Sequence, residues 1–145
     1  MKKIFVLTKI IFIYLLLTTN ATTKESEFFA KGKEFFDNKK FEKSKILFER
    51  DIVFNPRSEK SYLYLAKIFY NRENDNEQEI NLNSVLLLNP NNDEAIYMLT
   101  LLKIKQSDYN KAKELLDRFV LVCESFCNKK KEIQDKFDKL RPDDE

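Results

Sequence analysis

Two Asn-Pro pairs lie 34 residues apart, in Phe54-Asn55-Pro56 and Leu88-Asn89-Pro90, and each follows an apolar-periodic stretch. Proline lacks an amide hydrogen and restricts the residue before it, so each pair ends a helix. The interval extends to other positions. With each proline set at position 32, the chain divides into units 25–58, 59–92 and 93–126. Position 4 is Phe28, Tyr62 and Ile96; position 24 is Phe48, Leu82 and Leu116; position 28 is Ile52, Leu86 and Val120. Position 8 is small in every unit, as Gly32, Ala66 and Thr100, and position 11 is Phe35, Phe69 and Lys103.

This frame resembles the tetratricopeptide repeat, and Lys31-Gly32-Lys33-Glu34-Phe35-Phe36 and Asp108-Tyr109-Asn110-Lys111-Ala112 match it best. The resemblance covers 25–126 and implies an all-α solenoid of three helix-turn-helix units. The spacing predicts helices near 25–37, 41–54, 59–71, 75–88, 93–105 and 109–122. Positions 4, 24 and 28 should fill the seams between helices, while position 8 lets paired helices approach. Asp75 with Gln78, and Asn91 with Glu94, read as capping boxes. Residues 127–140 should form a capping helix with Ile133, Phe137 and Leu140 on its apolar face, and 141–145 a disordered tail. Lys31, Ser44, Asp51, Gln78, Lys103 and Glu124 depart from the family pattern.

Family geometry places positions 2, 5, 9, 12 and 13 of each first helix on the concave face. A partner-binding groove is therefore expected from Phe29, Lys33, Phe36, Leu63, Lys67, Tyr70, Tyr97, Leu101, Ile104 and Lys105. Aromatic rings give large contact area at low entropy cost, and lysines beside them favour an amphipathic or acidic protein segment. One sub-class of the family grips C-terminal carboxylates with Lys, Asn and Arg. The matching positions here hold Phe29, Lys33, Tyr64, Glu94 and Met98, so no such clamp is expected.

Composition narrows the chemistry. The chain has no histidine and one glycine, which excludes histidine triads and Gly-rich phosphate loops. No catalytic residue, metal ligand or cofactor is assigned. The acids sit among lysines as solvated helix faces, which points to a non-catalytic protein. Cys123 and Cys127 would lie about 6 Å apart on a helix, which allows a disulfide; the other reading is two reduced, partly buried thiols.

The N-terminus reads as an address. Lys2-Lys3 precede an apolar stretch from Ile4 to Leu17, and Thr19-Asn20-Ala21 supplies small residues for cleavage. Residues 1–21 are expected to be a secretory signal, or an uncleaved anchor tethering the chain to the inner membrane through 4–17. Without them 23 bases face 24 acids, which leaves no nucleic-acid footprint. The Lys/Asn/Ile bias suggests an AT-rich bacterium, and hence the periplasm or cell envelope. The function expected is an interaction scaffold there; the alternative is a tethered structural subunit of a membrane-associated complex.

Overall fold

The computed structural model describes residues 25–140; the address segment 1–21 and the tail 141–145 lie outside that range. The described chain is all-α: α1 Glu27–Asp37, α2 Phe41–Phe54, α3 Glu59–Asn71, α4 Asp75–Leu88, α5 Asp93–Lys105, α6 Tyr109–Val122, a 3₁₀ turn Cys127–Lys129, and α7 Lys130–Leu140. Consecutive pairs α1/α2, α3/α4 and α5/α6 form the three stacked units, and α7 closes the end of the third.

The reversal within each unit has one backbone solution. Lys39, Glu73 and Ser107 carry positive φ of 57°, 56° and 61°, and all occupy position 15 of the frame. In the first turn the Lys39 and Lys40 amides donate to the Phe36 and Phe35 carbonyls, both at 2.8 Å, and the same pair of bonds recurs in the other two turns. This closing pattern satisfies carbonyls that a helix end leaves open, and it normally recruits glycine at the left-handed residue. Here three ordinary residues hold that conformation, so the helix-pair packing must over-determine it.

The same turns explain why the helices start where they do. Asn74, not Asp75, caps α4 by accepting the Glu77 amide at 3.2 Å, and Asn92, not Asn91, caps α5 by accepting the Ala95 amide at 2.8 Å. The first expected box is one residue late and the second one residue early. After the left-handed residue only one extended residue remains before α4, and Asn91 is engaged in the turn through the Asn89 side chain.

Small position 8 is where paired helices touch. Gly32, Ala66 and Thr100 are all buried, and a methyl group on Gly32 would meet Phe48 Cε1 at 2.8 Å. Ser44, a departure from the family pattern, is fully buried and donates to the Gly32 carbonyl at 2.8 Å. Position 24 fills the seams as expected, with Phe48, Leu82 and Leu116 no more than 1% exposed. Position 28 does not do so throughout: Val120 is 45% exposed, because among the described residues no further unit covers that side of α6.

The core forms two clusters. One joins Phe29, Phe48, Leu65, Ile68 and Phe69 across units one and two. The other runs through units two and three and includes Ile133 and Phe137 of α7. Leu140, expected on the same face, is 55% exposed at the chain's described end. Asp51, at a position where the family prefers alanine, is 1% exposed and accepts from the hydroxyls of Ser26, Ser58 and Ser61. These serines come from the start of α1 and the entry to α3, so Asp51 pins the first unit to the second.

Candidate functional groove

The first helices of the three units wall a groove of about 750 Å³. Phe36, Lys67, Tyr70, Tyr97, Leu101 and Lys105 of the expected set lie on it. Phe29, Lys33, Leu63 and Ile104 do not. Phe29, Leu63 and Ile104 are buried in the core, and Lys33 is exposed and paired with Asp37 at 2.7 Å. The reason is angular. At 100° per residue, frame positions 12 and 5 sit at one edge of the concave arc, against the neighbouring helices, positions 9 and 2 at its middle, and position 13 at the opposite edge. At that edge Phe29, Leu63 and Ile104 are swallowed by packing, while Phe36 and Tyr70 still reach the groove. Tyr97 is an edge residue and is 9% exposed, so it forms groove floor and core at once; Tyr70 stays 59% exposed.

The frame alone did not assign Asp75 and Gln78 from α4, Glu73 from the turn, Leu102 of α5, or Glu132 and Lys136 from α7, all of which line the groove. Glu94 and Asn71, at inward positions 2 and 13 of the frame, and Met98, a clamp position, also line it. Helix α7 has no counterpart in the repeat, so no periodic signal could place it there.

The walls hold Lys67, Lys105 and Lys136 beside Glu73, Asp75, Glu94 and Glu132. Each lysine is already paired: Lys67 with Glu94 at 2.8 Å, Lys105 with Asp75 at 2.7 Å, and Lys136 with Glu132 at 3.2 Å. Lys67 also lies 4.9 Å over the Tyr64 ring. The groove is thus ring-bearing, with every lysine paired and one carboxylate in excess, and free positive charge does not dominate it.

At its third-unit end the Tyr97 hydroxyl donates to Glu132 Oε1 at 2.9 Å. Burial, and then the Glu132 carboxylate, push the Tyr97 phenol up to about 12. Lys129, then the Tyr97 hydroxyl and Lys136, hold the Glu132 carboxyl down to about 2. The contact therefore keeps one proton arrangement, phenol donor and carboxylate acceptor, across the physiological range.

A second anchor lies just outside the groove. Asp93 Oδ2, at the start of α5, accepts the backbone amides of Glu124, Ser125 and Phe126 at 2.8, 2.7 and 2.8 Å. Burial alone would raise the Asp93 carboxyl, but these amides together outweigh it and hold the carboxyl below its usual range. A depressed folded-state pKa stabilises the fold fully above the unfolded value. That stability is lost as pH falls from about 4 through the lower folded value. Asp93→Ala is expected to cost about 1–3 kcal/mol at neutral pH, measured by urea unfolding. The gap to wild type should narrow below pH 4; a constant gap across that range would contradict the assignment.

Cys123 and Cys127 are joined, with Cα atoms 5.2 Å apart. They do not share a helix: α6 ends at Val122, and the bond spans the turn that carries the three amides bound by Asp93. Among the described residues no cluster of metal-ligating side chains occurs, and no helix is long and apolar enough to cross a membrane.

No protein-family model matches the sequence, and no curated protein matches it. Solved structures do resemble the fold. The TPR2B domain of yeast Sti1, in a complex with pHsp70, aligns with TM-score 0.73 and 19% identity over 79% of this chain and 96% of that one. The first TPR of Spaghetti (RPAP3), bound to the HSP90 peptide SRMEEVD, aligns with TM-score 0.69 and 14% identity over 78% and 90%. The Sgt2 TPR domain of Aspergillus fumigatus aligns with TM-score 0.65 and 14% identity over 82% and 85%. At these identities the likeness is one of architecture: the chain has the fold of a three-unit tetratricopeptide-repeat domain.

Proposed function

We propose that this chain is a non-catalytic scaffold that holds an amphipathic segment of a protein partner in its groove. The observation that carries the reading is the open trough of about 750 Å³ in which Phe36, Tyr70, Met98 and Leu101 stand among paired charges. Rings and flexible apolar side chains supply contact area, and each lysine–carboxylate pair can exchange partners with a segment bearing both signs. An all-acidic segment fits less well, because it would have to displace Glu94 and Asp75 from Lys67 and Lys105. Two of the similar folds are complexes with a chaperone or its peptide, which supports groove binding as a mode. The clamp positions here hold a buried Phe29, a Lys33 paired with Asp37 and a Glu94 paired with Lys67, so a carboxylate-terminated tail is not the ligand we propose. A cell-envelope setting rests on the basic-apolar-small order of residues 1–21 and on the disulfide, which persists in oxidising compartments.

A second reading draws on a separate surface. Val53, Leu87 and Leu121 are 75%, 83% and 84% exposed, and all occupy position 29 on the outer helices of the three units. A periodic apolar line on the convex side suits a structural subunit of a larger assembly, tethered through residues 4–17. One experiment separates the two. Partners are crosslinked in the producing cells and captured with wild type, Tyr70→Ala and Leu87→Lys. The groove reading expects Tyr70→Ala, at an exposed position, to lose capture by about tenfold or more with helicity intact, while Leu87→Lys retains it. The opposite pattern would transfer the function to the convex face, and unchanged capture in both would reject the groove.

A further inference from the structure

We infer that the Cys123–Cys127 bond is a redox latch that holds α7 across the third-unit end of the groove, so that reduction loosens α7 and widens the binding site. The inference rests on the groove reading above. Its geometry has three parts. The bond brackets Glu124, Ser125 and Phe126, whose amides all converge on Asp93 of the groove helix α5. The helix that leaves this turn puts Glu132 against the Tyr97 hydroxyl at 2.9 Å and brings Lys136 to the groove wall. Both cysteines are only partly buried, within reach of a reductant.

The step balances with a dithiol as co-reactant. One reductant thiolate attacks a sulfur of the bond and forms a mixed disulfide, releasing the other cysteine as a thiol. The second reductant thiol then displaces the first cysteine. Two electrons and two protons end on Cys123 and Cys127, and the dithiol becomes a disulfide.

Opening so short a loop frees little chain entropy, and Ile133 and Phe137 still anchor α7 in the core. Reduction therefore loosens the helix without detaching it, raising the population of its undocked form by about tenfold. While docked, α7 competes with any added segment at the high effective concentration of a tethered ligand.

The test uses the full chain with and without dithiothreitol, beside a Cys123→Ser/Cys127→Ser variant. Amide hydrogen exchange across 124–140 is expected to rise about tenfold on reduction, with units one and two unchanged. A fluorescein-labelled synthetic peptide of residues 130–140 should bind the reduced chain about tenfold more tightly than the oxidised one. The double variant should behave as reduced chain whether or not reductant is present. Equal exchange in the two redox states, or equal peptide binding, would overturn the latch. Loss of the groove reading itself would leave the exchange change in place but make partner capture indifferent to Tyr70, so the two failures are distinguishable.

Discussion

Phe48→Ala should lower the free energy of unfolding by about 3–5 kcal/mol, read from urea denaturation. The ring is fully buried and packs against Phe29 of α1 at 5.6 Å and Tyr64 of α3 at 5.1 Å between centroids, so two other helices hold its cavity open after truncation. Its third neighbour is the bare Cα of Gly32. That contact makes a companion substitution diagnostic. Gly32→Ala, inside α1, would ordinarily stabilise a helix by up to about 1 kcal/mol. Here the added methyl meets Phe48 at 2.8 Å, and the ring has no free space into which to turn. Overpacking of this kind costs about 1–3 kcal/mol and should reverse the sign. Combined with Phe48→Leu, Gly32→Ala should cost less than it does alone, a coupling that a double-mutant cycle measures directly. A stabilising Gly32→Ala would mean that the two helices do not approach as closely as described.

Asp51→Ala comes second, with an expected loss of about 3 kcal/mol. Its carboxyl group takes hydroxyl bonds from Ser58 and Ser61, both at 2.5 Å, and from Ser26. Truncation leaves the buried Ser61 hydroxyl and the half-buried Ser26 and Ser58 hydroxyls without this acceptor, at up to about 1–3 kcal/mol each. Ser58 and Ser61 can fall back on one another at 3.1 Å, which keeps the total below the sum. Asp51→Asn retains one acceptor oxygen and should cost roughly half as much. The loss should appear as uncoupling of the first unit, with exchange in α1 and α2 rising ahead of exchange in α5 and α6. A change smaller than about 0.5 kcal/mol in Asp51→Ala would show that the serines find water instead.

Much of the architecture was legible because it is local and repeated. The Asn-Pro stops, the small residue at position 8 and the large residue at position 24 are decided by backbone sterics and by side-chain size at one helix crossing. Each crossing recurs every 34 residues, so three observations constrain one geometry. The helix ends follow from the same local rules, within a residue or two.

The groove was only partly legible, and the failures have one cause. Phe29, Leu63 and Ile104 carry the right chemistry for a binding surface, but they sit at the edge of the arc, where a neighbouring helix covers them. Tyr70 occupies the same kind of edge position and remains open. A single-helix projection cannot distinguish these cases, because burial there depends on what packs alongside.

By itself, then, the sequence determined the number of units, the pairing of helices and the points where they touch, since each follows from short-range geometry. Only the tertiary structure decided which rings remain free to meet a partner, that each groove lysine is held by a carboxylate of the same chain, and that α7 bends back to reach Tyr97. Apart from the i,i+4 pair Lys136–Glu132, those outcomes join residues about 27–35 positions apart in sequence on helices with independent patterns, and no local rule relates their orientations.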